Sequence, residues 1–241
     1  MINLLIDIGN SAVKASYAKG SSLEDVIRYD GEDVCGFITE LAKGRGVNII
    51  AISTVRRDGA ICFKELERLC NKLIVVDSAT DLPVINRYKS PETLGSDRIL
   101  SAVAAKFMFP GKDLMIFDFG TALTIDFVSE NGEYLGGNIS LGLRGRFKAL
   151  NDYTQLLPLL DNPLDVVDVG GTTKEAIESG VVLGLIFEVS GYIKEYPNHI
   201  YIFTGGDAIY FAEKLKSSIF VVYNLVLMGL ARVAENYAKS E

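Results

Sequence analysis

The stretch IDIGNSAVKASYA (6–18) returns at 117–129 as FDFGTALTIDFVS. In both copies an apolar run ends in Asp, one further residue, Gly and a small polar residue, and a second run follows. Alternating apolar residues around Gly-Asn or Gly-Thr predict two strands joined by a tight turn. Working outward, the first copy sits among expected strands at 2–8, 12–18 and 25–30. A helix at 33–44, a strand at 47–53, a helix at 60–71 and a strand at 73–76 follow. The second copy sits among expected strands at 114–119, 123–128 and 133–140. Beyond it come helices at 143–152 and within 172–196, a strand at 199–204, a helix at 207–216, a strand at 219–222 and a helix at 224–238. Two hairpin-led α/β runs of similar length predict a duplicated domain, each half a mixed sheet flanked by helices.

Between the copies, residues 78–94 read as irregular, with Pro83 and Pro91. A helix begins near Gly95-Ser96, with Ile99, Leu100, Val103, Ala104 and Phe107 on one face. Pro110-Gly111 ends it and marks the expected boundary between domains 1–111 and 112–241. The two halves are expected to face each other across a central cleft. Thr172 and Glu175 have capping-box spacing at the start of the long helix. Within that helix Gly180, Gly184 and Gly191 fall near one face, consistent with a dimer contact, a kink or close packing inside one subunit. Phe107, Phe109, Phe117, Phe119 and Phe127 read as core.

Composition narrows the function. The 241 residues are 49% hydrophobic and 23% charged, a globular mixture. The net charge of −7 argues against nucleic acid as a partner, while Lys14, Arg98, Arg144, Arg146 and Lys148 can receive an anionic ligand locally. Cys35, Cys62 and Cys70 have no metal-ligand spacing and are expected as reduced thiols in a cytoplasmic protein. The N-terminus lacks the basic and long apolar regions of a signal peptide. No stretch reads as the roughly 20 apolar residues of a membrane span, so no membrane partner is expected. His199 lacks a visible catalytic partner.

The repeated turn has a chemical use. Successive N–H groups near Gly9 and Gly120 can cradle phosphate oxygens, both glycines permitting positive φ and close backbone approach. Asp7 and Asp118 stand at the strand ends; Asn10, Ser11, Thr121 and Lys14 add donors. No P-loop or dinucleotide fingerprint competes with this reading. Thr204-Gly205-Gly206, after an apolar strand and before a helix, is a third glycine turn suited to a nucleotide. Gly95-Ser96-Asp97-Arg98 places an acid and a base at a helix start. Asp97 there stabilises the helix dipole; it can equally accept a proton from a substrate hydroxyl attacking phosphorus.

The ordered series DIGNSAVK (7–14), YKSPETLGSDR (88–98), DFGTALTID (118–126), GGNISLGL (136–143), TTKEAIESG (172–180) and FTGGDA (203–208) resembles the motifs of the type III pantothenate kinases. The resemblance implies α/β architecture of duplicated actin-like (ribonuclease H-like, ASKHA) domains, usually in a homodimer. It implies phosphorylation of pantothenate by ATP with magnesium and a monovalent cation, potassium or ammonium. Carried over, it makes Asp97 the proton acceptor and puts Asp7, Ile8, Gly9, Asn10, Ser11, Ala12, Val13, Lys14 and Thr121 against ATP. Asp118 would hold the monovalent cation, and Tyr88, Gly95, Ser96, Asp97, Arg98 and Thr173 would contact pantothenate. Leu141 stands where the family usually has Pro, and Gly171-Thr172 replaces a more polar pair. A kinase for another hydroxyl compound and a non-catalytic, ligand-binding relative are the alternatives.

Overall fold

The computed structural model describes residues 1–56, 62–215 and 217–239. In chain order the elements are β1 (Asn3–Ile8), β2 (Val13–Lys19), β3 (Ser22–Leu23), β4 (Ile27–Tyr29), α1 (Val34–Lys43), β5 (Ile49–Thr54), α2 (Phe63–Leu66), β6 (Lys72–Val75), β7 (Ile85–Asn86) and α3 (Ser96–Met108). They continue with β8 (Leu114–Phe119), β9 (Ala122–Val128), β10 (Glu133–Leu141), α4 (Leu143–Tyr153), α5 (Thr173–Glu195), β11 (Ile200–Thr204), α6 (Ala208–Lys214), β12 (Ile219–Val221) and α7 (Leu225–Lys239). By packing, Met1–Gly111, Val128–Gly136 and Asn224–Glu241 form one unit, and Lys112–Phe127 with Gly137–Tyr223 form another. Against the expected 1–111 and 112–241 halves, the segments 128–136 and 224–241 group with the first. The terminal helix does so because its apolar residues complete the first unit's core.

The first unit's sheet runs β3-β2-β1-β5-β6, with β4 also on β2. β2 is antiparallel to β1, whereas β1, β5 and β6 are parallel. The strand alternation sorts its two faces. Leu4, Ile6 and Ile8 pack with Val34, Ile38 and Ala42 of α1. Leu5, Ile49 and Ala51 point the other way, into a core shared with Leu100 of α3 and Leu227, Leu230 and Ala234 of α7. Apolar side chains on both faces explain why β1 and β5 read as continuous apolar runs. The same alternation sends Asp7 and Ser53 to the α3 side, two positions beyond Leu5 and Ala51. The short β7 pairs in parallel with the start of β10.

The second unit's sheet follows β10-β9-β8-β11-β12, the first sheet's order over again, with β11 parallel to both β8 and β12. Its core joins Phe117, Phe119 and Phe203 from the strands to Phe147, Val182, Leu185 and Phe211 from the helices. This duplication gives the expected α/β architecture of mixed sheets with flanking helices.

Several local expectations change. The expected 60–71 helix is helical only at Phe63–Leu66 among described residues, 60 and 61 lying outside them; the chain must turn to enter β6, with Asn71 N–H donating to the Asn48 carbonyl. Residue 216, at the end of the expected 207–216 helix, also lies outside the described residues. The irregular 78–94 stretch contains β7 and a 3-10 turn at Pro91–Thr93. Phe107 is exposed near the end of α3, its ring under the Arg232 guanidinium. Cys35 and Cys62 form a disulfide, and Cys70 alone is free, correcting the expectation of three reduced thiols. Helix α5 is, by length and composition, apolar enough to cross a membrane, contrary to the sequence reading; its inner face, with Val182, Leu185 and Val189, belongs to the second unit's core.

Candidate active site

In the first unit, Asp7 pairs across the strands with Lys14 on one side and Ser53 on the other. Burial first, and then the negative charge of Asp97, push the Asp7 carboxyl up to about 7 against the opposing pull of Lys14 and a hydrogen bond from Ser53. The acid of the repeated turn and the acid of the helix start therefore act on one another. Gly9 N–H donates to the Ala12 carbonyl at 3.1 Å, and Gly120 N–H to Ala122 at the same distance. Neither glycine uses positive φ; at Gly9 it is close approach that matters, the Ala12 carbonyl leaving little room for a side chain.

Helix α3 starts without a side-chain cap, but Asp97 Oδ1 accepts the Arg98 N–H at 2.8 Å. The carboxylate folds over the first turn, where the helix dipole favours it. Arg98 is buried, and its guanidinium lies 5.8 Å from the Tyr88 ring centre; that ring packs against buried Tyr134. Ser96 is buried beside β5, so Gly95 to Arg98 and Tyr88 form one locale with Asp7. A cavity of about 520 Å³ opens at the carboxyl ends of β5 and β6, lined among others by Thr54, Arg56, Asp77, Asp81, Gly95 and Ser96. Ligands of open α/β sheets bind at such strand ends.

In the second unit, two glycines hold the 118–121 turn. A Cβ on Gly142 would stand 2.2 Å from the Gly120 carbonyl oxygen, and Gly142 N–H donates to the Thr121 carbonyl at 3.2 Å. The backbone thus docks as it must, with Leu141 in the position before it. Gly205, at φ +92°, would bring a Cβ within 2.4 Å of Asp118 Oδ1 and 2.6 Å of the Phe119 carbonyl. The FTGGDA loop is thereby pressed against the acid-bearing turn, and Asp207 N–H donates to the Phe119 carbonyl at 3.2 Å. Burial raises the Asp207 carboxyl, and Arg144 opposes the rise. Thr121 is exposed at the turn, and Thr173 is exposed at the first position of α5. The Thr172 hydroxyl accepts the Glu175 N–H, as the capping spacing predicts.

Two residues of the first locale escape sequence reading. Ser53 stands beside Asp7 only through the parallel β1–β5 register. Arg56 Nε donates to the Gly9 carbonyl at 2.8 Å, and its NH2 reaches the Asn10 carbonyl at 3.4 Å, bracing the turn from outside it. An Ile-Ser-Thr strand end has no local signal for either role; the strand pairing alone supplies it.

A family model described as type III pantothenate kinase matches residues 3–195. The chain belongs to the type III pantothenate kinase family. The type III pantothenate kinase of Bacteroides fragilis YCH46 is 40% identical over 236 residues, covering 96% of this chain and 97% of that protein. That of Phocaeicola vulgatus is 41% identical over 242 residues, with the same coverage. Among solved structures, a Campylobacter jejuni protein described as a Baf family transcriptional activator matches with TM-score 0.65 at 20% identity, covering 98% of this chain and 99% of that one. The activator of 2-hydroxyisocaproyl-CoA dehydratase from Clostridium difficile, with bound ADPNP, matches with TM-score 0.58 at 16% identity, covering 100% and 96%. These structural likenesses carry the fold, an actin-like one, and the pantothenate kinase family carries the relationship.

Proposed function

We propose that this protein is an enzyme that phosphorylates pantothenate with ATP to 4'-phosphopantothenate and ADP, the first step of coenzyme A biosynthesis. The observation that carries the chemical reading is the Ser53–Ser96 hydroxyl link of 2.9 Å, with Ser53 beside Asp7 in the strand register and Ser96 directly before Asp97. It sets the helix-start carboxylate beside the turn assigned to the phosphates. The primary hydroxyl oxygen of pantothenate attacks the γ-phosphorus in line, the bond from that phosphorus to ADP breaks, and Asp97 orients the hydroxyl and takes its proton. Neutralising charge and fixing the reactants contribute more than basicity in such a transfer.

In this reading Asp7, Ile8, Gly9, Asn10, Ser11, Ala12, Val13, Lys14 and Thr121 line ATP, which arrives as its magnesium complex. Tyr88, Gly95, Ser96, Arg98 and Thr173 hold pantothenate, with Arg98 suited to an anionic group. Asp118 holds a potassium or ammonium ion; its carboxylate, close to the Phe119 carbonyl against Gly205, is an oxygen environment fit for a hard cation. When bound, that ion offsets negative charge near the phosphates. We place the enzyme in the cytoplasm, as a homodimer with neither nucleic acid nor membrane as a partner.

The test is ADP release by purified protein with ATP, magnesium and pantothenate, with potassium replaced by sodium in a control. Pantothenate-dependent release that needs potassium or ammonium is the expected result, and a screen of other hydroxyl compounds should give less. Asp97→Asn should lower kcat by about 100-fold or more, the general-base contribution, with the thermal melt unchanged. Near-normal turnover in that variant removes Asp97 from the role.

A further inference from the structure

Ser53 is fully buried, yet its hydroxyl is engaged on two sides. It is the cross-strand neighbour of Asp7, whose carboxyl it pulls down by hydrogen bonding, and its Oγ lies 2.9 Å from Ser96 Oγ. Ser96 in turn accepts the Thr54 N–H at 3.2 Å and can donate to the Thr54 carbonyl at 3.2 Å. The chain of groups runs from the turn of β1, through the end of β5, to the first residue of α3. Ser96 directly precedes Asp97, so its anchorage fixes where that carboxylate begins.

The hydroxyls allow this chain two complete hydrogen-bond directions. With Asp7 ionised, Ser96 donates to Ser53 and Ser53 donates to Asp7. With Asp7 protonated, Asp7 can donate to Ser53, Ser53 to Ser96, and Ser96 to the Thr54 carbonyl. Both directions leave each group satisfied, a requirement for buried polar networks. An apolar residue in place of Ser53 would break both, leaving two carboxylates that repel one another with no shared tether.

We propose that Ser53 is a positioning residue for phosphoryl transfer, tying the phosphate-turn acid to the helix start that carries Asp97. It touches neither reactant; it acts through Asp7 and Ser96. The inference rests on the kinase reading for its consequence in turnover, while the tether itself can be observed without catalysis.

The experiment compares Ser53→Ala, Ser53→Cys and Ser53→Thr in the full-length protein. Cysteine keeps the approximate size with a poor donor, and threonine keeps the hydroxyl. Loss of a hydrogen bond to a charged group should lower kcat about 10- to 100-fold in the alanine and cysteine variants. The KM for ATP should change by less than about threefold, and threonine should restore kcat to within about threefold of wild type. In parallel, amide hydrogen exchange at Thr54 and in the first turn of α3 should quicken in the alanine and cysteine variants but not with threonine. Wild-type kcat within twofold in the cysteine variant, or unchanged exchange in the alanine variant, would overturn the proposal. Should the wild-type protein fail to phosphorylate pantothenate, the kinase reading falls, while the exchange comparison still decides the tether.

Discussion

A methyl group on Gly95 would stand 2.4 Å from Asp97 Oδ1. The backbone there is ordinary, with φ of −61°, so alanine meets no conformational strain. What gives way is the flexible carboxylate. Gly95→Ala is therefore expected to move Asp97 without unfolding the helix, lowering kcat about 10- to 100-fold as misplacement of a reacting group does. Steady-state kinetics and a thermal melt check this together; lost stability with normal kcat would contradict it. Asp7 permits a test by pH. Its carboxyl, at 3.8 unperturbed, titrates at about 7 in the fold. Between those values the folded chain holds a proton that the unfolded chain has released. Its contribution to stability is therefore complete below about pH 4 and lost as pH rises to about 7. At 1.36 kcal/mol per pKa unit the loss is on the order of 4 kcal/mol. Urea melts of the ligand-free protein should show this decline, and Asp7→Asn should flatten it.

Cys35 is the second residue of α1, and Cys62 stands just before α2, 27 residues apart in sequence. Closing a loop of that length stabilises a chain by about 3–4 kcal/mol in the loop-entropy account. Cys35→Ser should lower stability by roughly that amount in oxidising buffer, and a dithiol reductant should erase the difference between variant and wild type. Equal melts in oxidising buffer would contradict a stabilising cross-link. This bond also marks where sequence reading stops. The apolar rows of β1, β8, α3 and α5 were legible because each element carries its own period. Asp7, Asp97 and Asp118 were legible because their motifs are local. The Cys35–Cys62 pair, Ser53 beside Asp7 and Arg56 beneath Gly9 depend on which distant segments meet. The shortening of the 60–71 helix has the same origin, since β6 must be entered beside β5.

The repeated strand order explains why two short stretches, 6–18 and 117–129, carried so much of the architecture: each opens a sheet of the same plan. The plan does not account for α5. That helix is apolar around its circumference, but only one side is used by the core. Its outer side presents Gly180, Gly184, Phe187 and Gly191 at spacings of four, three and four residues, hence along one stripe. A Cβ on Gly180 or Gly191 would meet nothing within 4 Å among the described residues, and Phe187 is 68% exposed. Each helical glycine costs about 1 kcal/mol relative to alanine, and an exposed phenylalanine forgoes roughly 1.5–3 kcal/mol of burial. A second copy of the chain laid along this stripe would recover that burial, with the glycines admitting its side chains. The homodimer reading thus makes a definite demand on Phe187. Light scattering should give the dimer mass for the wild type at micromolar concentration, and Phe187→Glu should shift it toward the monomer, because a carboxylate cannot be buried there unpaired. A Lys174→Glu control, changing an exposed residue nearly two turns before the stripe, should remain dimeric. A monomeric wild type, or a Phe187→Glu protein of unchanged mass, would place the apolar stripe outside any self-association.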